Sequence, residues 1–325
     1  MSSKNKKSKN IVLYFYIIII LFALCTSATY TWFSISQTPR VSNMGLSVSG
    51  MSGLELAYEW NAEEWTQILD LSEKLKDEIA LKPATWVDTK QKLYTASYTT
   101  DGRIVDIDKE LNDKDNTNRN DAQGYYLYTS VFARTDADVD VSLMPAGSDG
   151  ANATGTYVIG TPVWNSETVT HNNGGNGAEY TIRIGIRITK YDLNGYEKAN
   201  SVQFYVYEPN YDGHIDGVNN KIETPSITGK DTIIDEKQLI RQTTTSWTEA
   251  YPVERNVVVK TPGEFLTEPH LFELNSNELA RIDLLIWMEG QDVDCGYHIG
   301  TEAKILANIQ FNSEARDQSG LEEFR

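Results

Sequence analysis

The chain has 325 residues, of which 40% are hydrophobic and 23% are charged, and its formal net charge is −17. This composition excludes a disordered tail protein, a collagen-like repeat and a polytopic membrane protein, and it leaves room for one large or two small domains. Because an acidic surface repels phosphates, we expect no nucleic-acid partner. The two cysteines, Cys25 and Cys295, are too few for a disulfide framework within the body of the chain.

The N-terminus has the order of an export signal. Residues 1–10 carry four lysines and form a basic cytoplasmic region, and residues 11–25 contain no charge. Residues 11–28 are therefore predicted to be a signal peptide that is cleaved after Ala28. As a helix, the 15 apolar residues would span only about 22 Å of a hydrocarbon layer of about 30 Å. However, no charged residue follows Lys9 until Arg40, so an anchor that extends to residue 33 is the alternative. In both cases the protein is exported, and it is membrane-anchored at the cell surface if the segment is retained.

Apolar and polar residues alternate along most of the body, which is the period of a half-buried strand. The clearest example is Tyr180–Thr189, where isoleucine occupies every second position. Strands are predicted in the following segments: 92–99, 125–134, 139–143, 156–163, 180–189, 202–207, 253–260, 282–288 and 305–311. Each strand has to bury one apolar face, so we expect a mainly β fold, an antiparallel β-sandwich with jelly-roll-like topology, preceded by one N-terminal hydrophobic helix.

The predicted domain organisation follows from these segments. Residues 29–39 are expected to be an early strand or linker, residues 40–312 the extracellular β-sandwich and residues 313–325 a disordered tail. Two polar segments, 101–123 and 224–250, are expected to be inserted loops.

One helix is predicted in the body, over residues 61–79. Asn61 is a possible N-cap with Glu64 three residues later, and apolar residues follow at helical spacing up to Ile79, before Pro83. A loop that contains a shorter helix is the alternative.

Signatures of catalysis are missing from the sequence. It contains no G-x-S-x-G elbow, P-loop, Rossmann glycine run or H-E-x-x-H motif, and its four histidines have no metal-ligand spacing. We therefore predict a protein that is not an enzyme.

One segment has the spacing of a calcium loop. In DGHIDGVNNKIE, Asp212, Asp216 and Glu223 occupy positions one, five and twelve, and Gly217 occupies position six, where such a loop turns. Calcium is thus the one candidate cofactor, with an Asp/Gly turn as the alternative. An acidic corner at Glu289, Asp292 and Asp294 is a further candidate ligand cluster or a structural turn.

Tyrosines recur on the predicted strands at alternating positions: Tyr126, Tyr128, Tyr205 and Tyr207. An exposed aromatic stripe would stack on sugars or on another subunit, whereas cross-strand pairs within a sheet would be structural.

Several segments of the sequence resemble segments of exported proteins. SATYTWFSISQ, GLSVS and GLELAY resemble the start of exported Gram-positive proteins that SipW-type signal peptidases process, the group of the fibre proteins TasA and camelysin. GTYVIGTPVWN, YTIRIGIRI, FYVYEPNYDGHIDG and IDLLIWMEGQDVDC are similar to segments of a set of exported clostridial proteins. The resemblance implies a signal peptide, an early strand and a β-sandwich, and by analogy a place in a biofilm matrix.

Two functional hypotheses follow. In the first, the protein is a structural or matrix protein of the cell surface that associates with itself or with cell-wall components. Its N-terminal strand would carry Tyr30 and Trp32 on one side and Phe33 and Ile35 on the other, and it would add to a neighbour's sheet edge. In the alternative, a membrane-anchored ectodomain binds a glycan or another surface ligand.

Overall fold

The computed structural model of the chain describes thirteen segments, and the account below concerns these residues. They are 40–49, 53–71, 79–87, 90–98, 104–112, 123–149, 152–160, 163–165, 168–170, 178–210, 239–242, 270–290 and 304–316.

Strands make up most of the described residues, which confirms the mainly β prediction. The N-terminal strands are β1 (Arg40–Ser49), β2 (Glu55–Ala57), β3 (Ile68–Asp70), β4 (Ile79–Leu81), β5 (Pro83–Val87), β6 (Lys92–Tyr98) and β7 (Ile104–Glu110). The middle strands are β8 (Gln123–Gly124), β9 (Tyr126–Arg134), β10 (Val139–Leu143), β11 (Gly147–Asp149), β12 (Asn152–Thr154), β13 (Tyr157–Gly160), β14 (Val163–Asn165) and β15 (Thr168–Thr170). After a short 3₁₀-helix, Ala178–Tyr180, come β16 (Ile182–Asp192), β17 (Gln203–Glu208), β18 (Leu239–Arg241), β19 (His270–Leu274), β20 (Glu278–Glu289) and β21 (Lys304–Ala315).

These strands form two large sheets and two small hairpins. Sheet I has the order β19-β10-β21-β1-β4-β8, with β13 paired to β21 and β3 paired to β1. Sheet II has the order β18-β17-β16-β20-β5-β6-β7, and β9 joins it by pairing with β20 and with β2. The hairpins are β11-β12 and β14-β15.

Both large sheets are mixed, so the expectation of purely antiparallel sheets was wrong. Four neighbouring pairs run parallel: β1 with β21, β4 with β8, β17 with β18 and β20 with β5. The alternation of apolar residues sets which face of a strand is buried, but it is the same for both directions of pairing.

No α-helix occurs in residues 53–71, so the predicted helix over 61–79 is wrong in its described part. Ile68–Asp70 forms β3 instead, and Leu69 lies opposite Leu46 of β1. Leu69 is buried, whereas Ile68 is 70% exposed. A strand three residues long buries one residue and exposes the next, so the apolar pair that suggested a helical face is split between two faces.

One hydrophobic cluster joins the two large sheets. Sheet I contributes Met44, Leu46 and Ile309, among others, and sheet II contributes Ile184 and Ile286. The even-numbered residues of β16 between Ile182 and Ile188 all point into this main cluster, as the alternation predicted.

A second hydrophobic cluster lies on the opposite face of sheet II, called here the outer face. It contains Phe204 and Val206 of β17, Trp287 of β20, Tyr126 of β9, and residues from the β5–β7 region that include Trp86 and Leu93. Trp86 stacks on Phe204 with ring centroids 4.3 Å apart, although β16 and β20 separate their strands in the sheet order. The β5–β7 region therefore covers part of the outer face.

Two predicted loops contain strands. Residues 104–110 of the segment 101–123 form β7, and residues 239–241 of the segment 224–250 form β18. The last strand, β21, continues to Ala315, and Ser313 is buried within it. It therefore extends into the segment that was expected to be a tail.

Candidate functional site

A groove with a volume of about 840 Å³ lies on the outer face of sheet II. This volume is within the range of about 300–1,000 Å³ that is usual for small-molecule sites. The groove is lined by Trp86, Gln91, Lys92, Leu93, Glu110, Leu111, Asn112, Tyr126, Tyr128, Arg187, Thr189, Tyr191, Glu197, Val202, Arg281, Asp283 and Leu285. Its walls thus combine aromatic rings with charged and amide side chains.

Three adjacent strands form the floor of the groove. Because side chains alternate along a strand, the odd-numbered residues of β16 and β20 face outward while their even-numbered neighbours enter the main cluster. Antiparallel register places Arg187 opposite Asp283 and Leu285 opposite Tyr128. The outward residues of β16, β20 and β9 thereby form one continuous surface.

A hydrogen-bonded network holds the polar side chains of this floor. The hydroxyl of Tyr128 donates to Asp283 Oδ1 at 2.8 Å, and Arg281 Nε donates to the same oxygen at 2.8 Å. Arg281 Nη2 also donates to the hydroxyl oxygen of Tyr128 at 2.6 Å. The Asp283 carboxylate is thus engaged by two neighbours, and the three side chains have little freedom to reorient.

The same network fixes the protonation of its members. Burial raises the pKa of Tyr128 above its usual value, and the negative charge of Asp283 raises it further. Burial by itself would lower the pKa of Arg281, but Asp283 and Tyr128 outweigh it and raise that pKa. At neutral pH the groove therefore offers a protonated phenol and a charged guanidinium.

The wall formed by β6 and β7 carries an exposed ion pair. Lys92 bonds Glu110, and the hydroxyl of Tyr94 donates to the other carboxylate oxygen at 3.1 Å. The hydrogen bond with Glu110 raises the pKa of Lys92, and the hydrogen bonds from Lys92 and Tyr94 lower that of Glu110. Both groups are therefore charged at neutral pH.

Gly185 makes room for the aromatic residues beneath the groove. A Cβ atom at this position would lie 3.0 Å from Cζ of Phe204 and 3.3 Å from Trp287. Glycine on the outward side of β16 thus allows Phe204 and Trp287 to lie close to the sheet, and Trp86 stacks on both.

The far end of the groove is set by the turn between β16 and β17. Asp192 Oδ1 accepts hydrogen bonds from the backbone N–H groups of Asn194 and Tyr196, both at 2.9 Å. These bonds lower the pKa of Asp192. Gly195 takes a φ of +82°, a conformation that residues with a Cβ seldom adopt. The turn places Glu197 and Val202 at the rim of the groove.

The four predicted tyrosines lie on two different faces. Tyr126 and Tyr128 line the groove, whereas Tyr205 and Tyr207 pack on the main cluster. Tyr205 donates to the carbonyl of Leu271 at 2.8 Å, and burial raises the pKa of both Tyr205 and Tyr207. The four tyrosines therefore form no single stripe.

The other candidate sites fall mostly outside the described residues. Glu289, from the predicted acidic corner, is fully buried and accepts hydrogen bonds from Thr85 and from Trp287 Nε1. The remaining candidates lie outside the described residues: Asp292 and Asp294 of the acidic corner, the calcium set Asp212, Asp216 and Glu223, the cleavage residue Ala28, and the strand residues Tyr30, Trp32, Phe33 and Ile35.

Within the described part of the chain, no three or more His, Cys, Asp or Glu side chains are grouped so that they could hold a metal ion. No helix in these segments has the length and hydropathy that crossing a membrane requires.

Comparisons with protein-family models, with curated proteins and with solved structures gave no match to the chain. The chemistry of the groove is consequently the main guide to function.

Proposed function

We propose that this protein is an exported cell-surface protein that binds carbohydrate in the groove on the outer face of sheet II. The observation that carries the proposal is the composition of the groove, in which aromatic rings alternate with fixed hydrogen-bonding groups. The N-terminal segment supports the export part of the proposal, because its lysines and uncharged run have the order of a signal peptide or anchor.

The proposed fold is a β-sandwich that follows an N-terminal hydrophobic helix. The main cluster supports the sandwich, because buried residues of sheets I and II contribute to it together. In such a fold the outer face of sheet II would normally face solvent, and its occupation by aromatic and charged residues suits a ligand surface.

Carbohydrate is the ligand class that fits this lining. A sugar ring has an apolar face that packs on aromatic rings and a rim of hydroxyls that both donate and accept hydrogen bonds. Tyr128 and Tyr191 supply partly buried rings in the groove. Glu110 and Asp283 supply acceptors, and Arg281 supplies donors. The lining thus offers partners to both parts of a sugar.

The test is direct binding of saccharides to the full chain, purified in mild detergent. A panel of tetrasaccharides that includes neutral and acidic members is titrated by isothermal calorimetry. At least one member should bind, and Tyr191→Ala should weaken binding about fivefold or more, since a stacked aromatic contact is worth about 1 kcal/mol or more.

Tyr196→Ala is the matched control. Tyr196 is 73% exposed, lies five residues from Tyr191 and does not line the groove. Equal affinities of the wild-type protein and the Tyr191→Ala variant would refute the groove as the binding site.

The export prediction has its own measurement. N-terminal sequencing of the protein from its native cells should give a start at Thr29 if residues 1–28 are cleaved. An intact N-terminus in a membrane fraction would instead support the anchor. Recovery of the intact protein from the cytosol would refute export.

Self-association is a second candidate function. Its support is the position of β1, whose first residue, Arg40, pairs with Lys304 on one side and with Ala80 on the other. The segment 29–39 is thus continuous with a central strand of sheet I. Deletion of residues 29–38 should abolish filaments in negative-stain microscopy, and filaments that persist would exclude this mechanism.

A further inference from the structure

Two nitrogen-bearing side chains of the groove contact the same aromatic ring. Trp86 stacks on Phe204 with an interplanar angle of 20°, and the Arg187 guanidinium carbon lies 5.8 Å from the centre of the Phe204 ring. Phe204 and Trp86 are 5% and 1% exposed, whereas Arg187 is partly exposed and lines the groove. An arginine over an aromatic ring is held by a cation–π contact that uses none of its N–H donors.

The donors of both side chains lack acceptors. Within the described part of the chain, the guanidinium of Arg187 makes no hydrogen bond and no ion pair. The indole nitrogen of Trp86 is buried and has no hydrogen-bond partner.

The other cations of the groove have carboxylate partners. Lys92 bonds Glu110, and Arg281 bonds Asp283. Although Asp283 lies opposite Arg187 in the strand register, its Oδ1 already accepts from Arg281 and from Tyr128. Arg187 is therefore the cation of the groove whose charge has no carboxylate bonded to it among the described residues.

We propose that Arg187 forms an anion subsite that binds a carboxylate or phosphate group of an acidic glycan. This inference rests on the proposed carbohydrate binding and adds the charge class of the ligand. A guanidinium presents a planar set of N–H donors that matches the paired oxygens of an oxyanion.

The net charge of −17 does not prevent this binding. Exposed charges farther away than about 8 Å are largely screened at physiological ionic strength. The rim carboxylate Glu197 pairs through its backbone with Tyr191, four residues along β16 from Arg187 and thus about 13 Å away. Of the nearer carboxylates, Asp283 is bonded to Arg281 and Glu110 is bonded to Lys92, so these charges offset one another and the charge of Arg187 remains for an anion.

The experiment compares two ligands that differ only in charge. Tetragalacturonate and its methyl ester are titrated into the full chain in mild detergent, and a glycerol-phosphate oligomer forms a third arm. The acid should bind at least about tenfold more tightly than the ester, because a hydrogen bond to a charged group contributes about 1.5–3 kcal/mol. Preferential binding of the glycerol-phosphate oligomer would identify phosphate as the source of the anion.

Variants identify the residues. Arg187→Gln should weaken binding of the preferred anionic probe at least tenfold, and Arg187→Lys should restore part of it. Trp86→Phe keeps a ring against Phe204, and because the indole N–H is buried, this variant should bind the probe as the wild type does. Lys190→Gln is the matched control, because Lys190 is a cation on the same strand that does not line the groove.

The possible failures are distinguishable. If neutral and acidic saccharides bind equally, or if Arg187→Gln binds the acid as the wild type does, the anion subsite is refuted while carbohydrate binding stands. If no saccharide of either kind binds, the proposed function itself is refuted. Circular dichroism of each variant shows whether lost binding reflects lost folding.

Discussion

Glu208→Gln should destabilise the fold strongly, because it removes one partner of a buried ion pair. Arg183 Nη2 lies 2.7 Å from Glu208 Oε1, and both side chains are 0% exposed. Arg241 Nε donates to the other oxygen of Glu208 at 3.0 Å. Glutamine keeps the shape of the side chain, but it leaves two guanidiniums facing a neutral group.

The expected loss is large compared with the stability of a folded domain. Removing one partner of a buried ion pair costs about 3–5 kcal/mol, whereas domains are stable by about 5–15 kcal/mol. Arg183 cannot turn towards water to recover solvation, since its Nη1 also donates to the backbone carbonyls of Tyr180 and Ile182.

Glu55→Gln is the matched control for this prediction. Arg134 Nη2 lies 2.7 Å from Glu55 Oε2, the same separation as in the buried pair, but the two side chains are 45% and 38% exposed. An exposed pair contributes about 0–1 kcal/mol. The assay is urea unfolding of the full chain at pH 7, followed by circular dichroism. If Glu208→Gln and Glu55→Gln lower the free energy of unfolding by the same amount, burial is not the reason that the Arg183–Glu208 pair stabilises the fold.

Three further predictions test the base of the groove, the acid response and the calcium loop. Gly185→Ala should cost about 1–3 kcal/mol in thermal unfolding, because the new methyl group would lie 3.0 Å from Phe204, and unchanged stability would contradict this packing. Burial of Glu278 opposes its charge, but the hydrogen bonds from Lys198 and Asn275 outweigh it and lower its pKa below 4.5. The charged carboxylate of Glu278 therefore stabilises the fold above pH 4.5, and this stability is lost as the pH falls through the lowered pKa. Glu278→Gln should accordingly flatten the drop in melting temperature below about pH 4.5. An unchanged slope would argue against the effect. If residues 212–223 bind calcium, millimolar calcium should raise the melting temperature of the full chain, and the absence of a shift would remove this site.

The strands could be predicted because their signal is local. Val139–Leu143 was predicted as a strand and forms β10 over those same residues, with every second side chain buried. Tyr180–Thr189 was also predicted as a strand, and β16 begins two residues after Tyr180 and continues to Asp192. Each alternation reports which side chains enter the main cluster, and this information lies within a few neighbouring residues.

The parallel pairs and the second cluster depend on contacts that are distant in sequence. Trp86 meets Phe204 from more than 100 residues away, and no local pattern in either segment indicates that contact. The odd-numbered residues of β16 looked solvent-facing because they include Arg183, Arg187 and Thr189, yet Arg183 and Thr189 are buried. A polar residue on a strand indicates only that its side chain lies outside the main cluster, and it does not indicate that the side chain is exposed to solvent.

The candidate site could be predicted only in fragments for the same reason. The alternation of Tyr126 and Tyr128 drew attention to one wall of the groove, but nothing in the sequence distinguished them from Tyr205 and Tyr207 on the opposite face. Asp283 interrupts the apolar run of β20, and this interruption could have indicated the site from the sequence. A carboxylate there has to be solvated or bonded, and it is bonded to Arg281 and Tyr128.

The outer face of sheet II shows why partial coverage of a polar sheet face favours binding. The β5–β7 region buries the apolar residues Phe204, Val206 and Trp287 at one end of this face. The neighbouring charged residues can be buried only where a partner bonds them, as Arg281 and Tyr128 bond the buried Asp283, because the desolvation of an unpaired charge would cost more than the contacts return. They therefore line a groove beside the buried aromatic residues, with most of their charges already bonded. A ligand that enters this groove meets preorganised partners, so it loses less free energy to ordering side chains than on an open surface.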